Sequence, residues 1–170
     1  MLKTVGLALC VAAAGLVGKK PIDTQHFLIH GNVYEIDPVQ NAQHKANDTR
    51  VIVYKAGEIY VAFNTNDDGK YLFNLPVGEN YTLEFGGDTY VNKRITIDAT
   101  RLKEEKKGQA MKLNLGLFRW HPGVDYRFLD TPVTKFQYSM AEGFRANQVH
   151  SQQMLRKTIK MLDAIRSMHE

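Results

Sequence analysis

Six histidines, one cysteine and a few clustered carboxylates are the groups in this chain that could do chemistry, and their spacing decides what chemistry that is. Asn64-Thr65-Asn66-Asp67-Asp68-Gly69 nearly spells the opening of a calcium loop, where oxygen side chains surround a hard cation ahead of a glycine turn. The carboxylate that closes such a loop should stand twelve positions from its start, and Leu75 is there instead, so the run reads as a hairpin turn. His26 and His30 share one strand face, but at ~3.3 Å per residue they lie roughly 13 Å apart, too far to share a zinc ion bound at about 2.1 Å. His44, His121, His150 and His169 are scattered without ligand spacing. No metal and no cofactor are expected.

Nucleophilic chemistry lacks its parts too. Cys10 falls in the amino-terminal apolar run, and neither Ser139 nor Ser151 sits in a nucleophile turn. Asp67 and Asp68 belong to a turn, while Glu104 and Glu105 alternate with Lys103, Lys106 and Lys107 in a segment that reads as a solvated loop. No catalytic residue is expected, and the chain reads as a non-enzyme. The formal charge of +4 draws on Lys3, Lys19 and Lys20 at the amino end, which leaves no basic stripe with interleaved aromatics for nucleic acid.

The elements that must carry the remaining groups fit a single domain with appendages. The chain has 170 residues, 44% hydrophobic and 24% charged, enough for one core and no second full domain. Residues 1–18 read as a signal peptide: a lysine, an apolar stretch from Val5 to Val17, then Lys19 and Lys20. About 13 apolar residues fall short of the roughly 20 that span a bilayer, so no transmembrane anchor is expected. Ala12 and Ala14 stand in an A-x-A arrangement, which places cleavage after Ala14 or Gly15. Lipidation at Cys10 is disfavoured by Leu9 before it. The mature chain then has no cysteine and must be held by packing alone. The protein is expected to be exported, to the periplasm or beyond.

Between residues 26 and 118 the dominant signal is period two, the alternation of strands with one face in a core. Phe27, Ile29 and Val33 share a parity; so do Ile59, Val61 and Phe63; Tyr71, Phe73 and Leu75; Tyr81, Leu83 and Phe85; Ile95 and Ile97; and Met111, Leu113, Leu115 and Leu117. Val51 to Tyr54 is a continuous apolar run. Turn chemistry at Ala56-Gly57, Asn66 to Gly69 and Pro76 to Asn80 predicts a four-strand meander over 51–86. Residues 119–146 read as an irregular extension with one further strand at Val133 to Tyr138. From 147 to 168 the period lengthens. Leu155, Ile159, Met161, Leu162, Ile165 and Met168 share one side of an amphipathic helix, with Arg156, Lys157, Lys160 and Asp163 mostly opposite.

The run from Thr65 to Leu83, with Asp68-Gly69, Tyr71, Phe73, Leu75-Pro76, Gly78, Tyr81 and Leu83, resembles the T-x-x-D-G-x-Y-x-F-x-L-P-x-G-x-x-Y-x-L pattern of the carboxypeptidase regulatory-like family. That family is related to transthyretin-like and collagen-adhesin B-type sandwiches. His30 to Val33, Val51 to Tyr54 and Tyr90 to Ile97 resemble its other strands, with Thr89 where the family has glycine. The resemblance implies an all-β fold: an antiparallel, prealbumin-like Greek-key β-sandwich of about seven strands over 26–118, followed here by the C-terminal amphipathic helix. It implies a non-catalytic module, and Leu129 to Lys135 is similar to tails of Bacteroidota-type envelope proteins. The lysine-to-asparagine isopeptide bond of some relatives lacks a lysine in the first strand, although Asn114 is available.

These readings converge on an exported binding or structural module of the cell envelope that docks to a protein partner, with Arg156, Lys157 and Lys160 on the docking helix. The alternative is a carbohydrate or small-ligand module, for which Tyr60, Trp120 and Tyr126 are the candidate aromatics.

Overall fold

The computed structural model describes residues 25–102 and 109–169. The signal segment with Cys10, Ala14 and Gly15, and the lysine and glutamate cluster at 103–107, lie outside the described residues. In chain order the elements are β1 (His26–Asp37), β2 (Ala42–Lys45), β3 (Arg50–Lys55), β4 (Glu58–Asn64), β5 (Lys70–Pro76), β6 (Asn80–Gly87), β7 (Tyr90–Asp98), β8 (Ala110–Lys112), β9 (Leu115–Leu117), β10 (Thr134–Ser139), β11 (Gly143–Ala146) and α1 (Gln148–Ser167). Among the described residues seven strands have six residues or more, and the other four are short.

They form a β-sandwich with a C-terminal helix. In sheet I, β1 is the hub: β5 and β2 follow one another along one of its edges, and β8 and β9 along the other. Sheet II has the order β11-β10-β7-β6-β3-β4. Alternation made the inner faces. Phe27, Ile29, Val33, Tyr71, Leu75 and Met111 from sheet I meet Val51, Val53, Leu83, Phe85, Ile95 and Ile97 from sheet II, all buried. The core tyrosines keep their polar tips satisfied: Tyr71 donates to the Leu113 carbonyl at 2.5 Å and Tyr81 to that of Pro76 at 2.8 Å. Burial pushes both phenols well above their ordinary range.

Three expectations are corrected. The four-strand meander does not form: β3 and β4 are a hairpin, but β5 crosses to sheet I and β6 returns to pair with β3. That is Greek-key order, with the fourth strand beside the first. The turn at Asn66 to Gly69 is real, with Gly69 at φ +72°, yet it switches sheets because Tyr71 and Leu75 find their partners across from β1. A Cβ on Gly69 would stand 2.5 Å from the Val33 carbonyl oxygen, so the turn needs glycine on two counts. Second, Ile59 leaves the parity of Val61 and Phe63. A bulge between Val53 and Tyr54 pairs Ile59 with Tyr54, and the extra residue turns Ile59 outward, 63% exposed. Third, the sandwich is not wholly antiparallel: β1 runs parallel to β8 and β9, and β7 parallel to β10, because the chain re-enters each sheet after crossing from the other.

The stretch 119–146 holds a 3₁₀ turn (Arg127–Asp130) and the β10–β11 hairpin, which extends sheet II and brings Phe144 against Phe27 and Tyr138. Asn147 caps α1 by accepting from the His150 amide. The helix buries Met154, Met161 and Ile165; the latter two join Phe118, Ile36, Val124, Tyr126, Phe128 and Leu162 in a second apolar cluster. No helix among the described residues is long and apolar enough to cross a membrane.

Candidate functional site

The face of α1 expected to pack as one stripe is divided in two. Met154, which the sequence reading left out, joins Met161 and Ile165 on the buried side, while Leu155 and Ile159 are 58% and 47% exposed and Met168 is exposed as well. At 100° per residue, Leu155 and Ile159 with half-buried Leu162 form a second apolar strip beside the buried one. Arg156, Lys157 and Lys160 are all exposed; Arg156 and Lys160 lie beyond this strip on the solvent side, and Lys157 lies on the opposite flank of the buried stripe.

The three aromatics do not converge. Tyr60 packs its ring against Tyr81, at the start of β6. Trp120 is 63% exposed and its amide bonds the Thr89 carbonyl, past the far end of the same strand. Tyr126 is half-buried in the second cluster, with its hydroxyl accepting from the His121 amide at 3.0 Å. The calcium-like turn is held by its own residues: the Asn66 side chain accepts from the amides of Asp68 and Lys70, and the Asp68 carboxylate pairs with Lys45 and Lys70. Among the described residues no three histidines, cysteines or carboxylates stand close enough to hold a metal ion.

A groove of about 770 Å³ lies instead on the outer face of sheet II. Strand register builds its floor. Tyr54, Thr82, Thr96 and Lys135 are paired in a row across β3, β6, β7 and β10, and Asn80, Asp98 and Gln137 form the next row. The Ala56-Gly57 turn rims one end and Asn147 the other. Asp98 accepts from the Thr100 hydroxyl at 2.6 Å, the Thr100 amide at 3.0 Å and the Gln137 amide at 3.3 Å; led by the Thr100 hydroxyl, these hold its carboxyl below the usual range. Arg94 pairs with Glu84 at 2.6 Å and reaches the Asp130 carbonyl, so its guanidinium is fixed. Among the described residues no histidine, cysteine or serine lines the groove. Sequence reasoning missed these residues because they occupy the outward parity of separate strands. The hint was that outward positions of β6 and β7 carry threonine and arginine that no local turn required, beside Asp98, which also holds the turn at Thr100.

One inward position also went unread. Lys93 shares the parity of Ile95 and Ile97 and is buried, donating to the Gly116 carbonyl with its ammonium 3.7 Å from the Phe118 ring centroid. Burial brings its pKa down to about 7. The Asn114 side-chain oxygen accepts from the Asn32 amide.

No protein-family model matches the chain, and no curated protein sequence does. Among solved structures it is similar to the TIE protein of Bacillus anthracis (18% identity over 56% of this chain and 17% of that one, TM-score 0.43). It is also similar to catechol 1,2-dioxygenase of Acinetobacter sp. ADP1 (14% identity over 68% and 59%, TM-score 0.42). The minor pilin GBS52 of Streptococcus agalactiae gives 10% identity over 61% and 49%, with a TM-score of 0.42. The chain thus spans 17% to 59% of the length of these proteins.

Proposed function

We propose that this chain is an exported, non-catalytic binding or structural module of the cell envelope, built on a carboxypeptidase regulatory-like sandwich, and that it docks to a protein partner through α1. The observation that carries the reading is the second apolar strip of that helix. Met154, Met161 and Ile165 already secure α1 to its own sandwich, so the exposed Leu155 and Ile159 are surplus to intramolecular packing. A small exposed apolar strip with Asp163 and Arg156 along its solvent edge and Lys160 beyond them suits a partner surface with an apolar centre and a charged rim.

The test is site-specific photo-crosslinking in intact source cells from position 155 or 159, with position 112 on exposed β8 as control. One envelope protein captured from α1 and not from β8, and lost when the strip residue that does not carry the crosslinker is changed (Ile159→Glu for the probe at 155, Leu155→Glu for the probe at 159), is the expected result. Identical capture from both surfaces rejects docking through α1. Saturable turnover of a glycan, peptide or ester by the pure protein rejects the non-catalytic assignment.

A further inference from the structure

The groove on sheet II takes no part in docking through α1, and its chemistry is specific enough to name a ligand class. We infer that it binds a neutral oligosaccharide.

Position narrows the class first. The groove lies on a sheet face, and its floor strands β3, β6 and β7 are paired on both sides, so their backbone donors and acceptors are engaged in the ladders. A ligand on that floor meets side chains, with main chain only at the Ala56-Gly57 rim. An extended peptide is recognised by main-chain hydrogen bonds along a free sheet edge and gains none of them on this face.

Charge narrows it further. Arg94 is matched by Glu84, and the ionised Asp98 offsets Lys135 in the neighbouring row. A polyanion draws its affinity from unmatched cations, and this floor presents no surplus of them. An apolar ligand would strip water from Thr82, Thr96, Asp98 and Gln137 without replacing their hydrogen bonds, at a cost of about 1–3 kcal/mol for each group left unpaired.

What remains is a ligand that is polar all round, uncharged, and rich in both donors and acceptors. A sugar ring meets that description: hydroxyls at its rim and a C–H face that stacks on an aromatic ring. The rows supply hydroxyl, carboxylate and amide groups spaced by the strands at ~4.8 Å, and half-exposed Tyr54 supplies an aromatic ring at one end. Asp98 and Arg94 are already oriented by their own partners, so little side-chain ordering is required on binding. The groove volume lies within the ~300–1,000 Å³ of ligand clefts.

The experiment is an NMR titration of the isotope-labelled full chain with neutral tetrasaccharides of β-glucan, α-glucan, mannan and chitin at millimolar concentration. Saturable shifts confined to the amides around Tyr54, Thr82, Thr96, Asp98 and Gln137 are expected with at least one of them. Tyr54→Ala and Thr96→Val should each weaken that binding about tenfold, with the inner-core resonances unmoved. Thr96→Val keeps the strand and removes a single hydroxyl, so its effect does not depend on a loss of folding. The inference is overturned by an absence of saturable shifts with every probe, by shifts centred on Trp120 and Tyr126, by variants that bind unchanged, or by tighter binding of inorganic phosphate in the same groove. None of these outcomes bears on crosslinking through α1.

Discussion

At Lys93 the chain places an amine on the same strand face as Ile95 and Ile97, and among the described residues it meets one carbonyl and one aromatic ring, with no carboxylate in ion-pair range. The folded protein sheds this proton near pH 7, whereas the unfolded chain keeps it to the ordinary lysine value of 10.5. Between those values the unfolded state binds more protons, so stability rises with pH; below about 7 both states are protonated and the burial penalty is present in full. Lys93→Met should therefore stabilise the fold by about 1–2 kcal/mol at pH 6 and flatten the pH dependence, as read from urea midpoints at pH 6 and 9. Glu35 runs the other way. Arg119 grips both of its oxygens, at 2.6 and 2.8 Å, and the Tyr90 hydroxyl donates at 2.9 Å; the Arg119 bonds lead in holding its pKa below the ordinary 4.5. Its contribution is present above that value and disappears as pH falls through the lowered one. Glu35→Gln should cost about 1–2 kcal/mol at pH 7 and nothing further on acidification, measured by thermal melts across pH 3 to 7.

At the scale of elements, the two sides of α1 make opposite predictions. Met161→Ala opens the second cluster beside Phe118 and should cost about 2 kcal/mol or more, whereas Ile159→Ser on the exposed strip should stay within about 0.5 kcal/mol. Urea denaturation of the two variants separates them. If Ile159→Ser were the more damaging, the assignment of faces would be inverted. These elements also mark how far the sequence could be read. Alternation identified the inward residues of β1, β5, β6 and β7, because water on one side and core on the other imposes period two directly. Partners were less accessible: an Asp-Gly turn reports a reversal of the chain and not which sheet receives it, so β5 was expected beside β4. A single bulged residue then reversed the parity of Ile59. On α1, which flank of a broad apolar arc is buried depends on where Phe118 and Ile36 sit, and no helical period contains that information.

For the whole molecule, the groove shows why a binding surface on a sheet escapes sequence reading. Tyr54, Thr82, Thr96 and Asp98 become neighbours only through register, and each is an ordinary outward residue of its own strand. The sheet packed against their strands is built around β1. At Gly31 the chain between β8 and β9 passes so close that a Cβ would stand 1.8 Å from the Leu113 carbonyl oxygen, so a side chain there would force the two apart. Gly31→Ala should prevent cooperative unfolding altogether, a result visible as a lost calorimetric transition. The central place of β1 has a temporal consequence. Its residues pair with Leu75, then Met111, then Leu117, all of them distant along the chain, so sheet I closes only after most of the polypeptide is available. Topologies dominated by such contacts fold in roughly milliseconds to seconds. Stopped-flow refolding should fall in that range, and throughout the delay Phe27, Ile29 and Val33 are an uncovered sticky segment that an escorting chaperone would have to hold until its distant partners arrive.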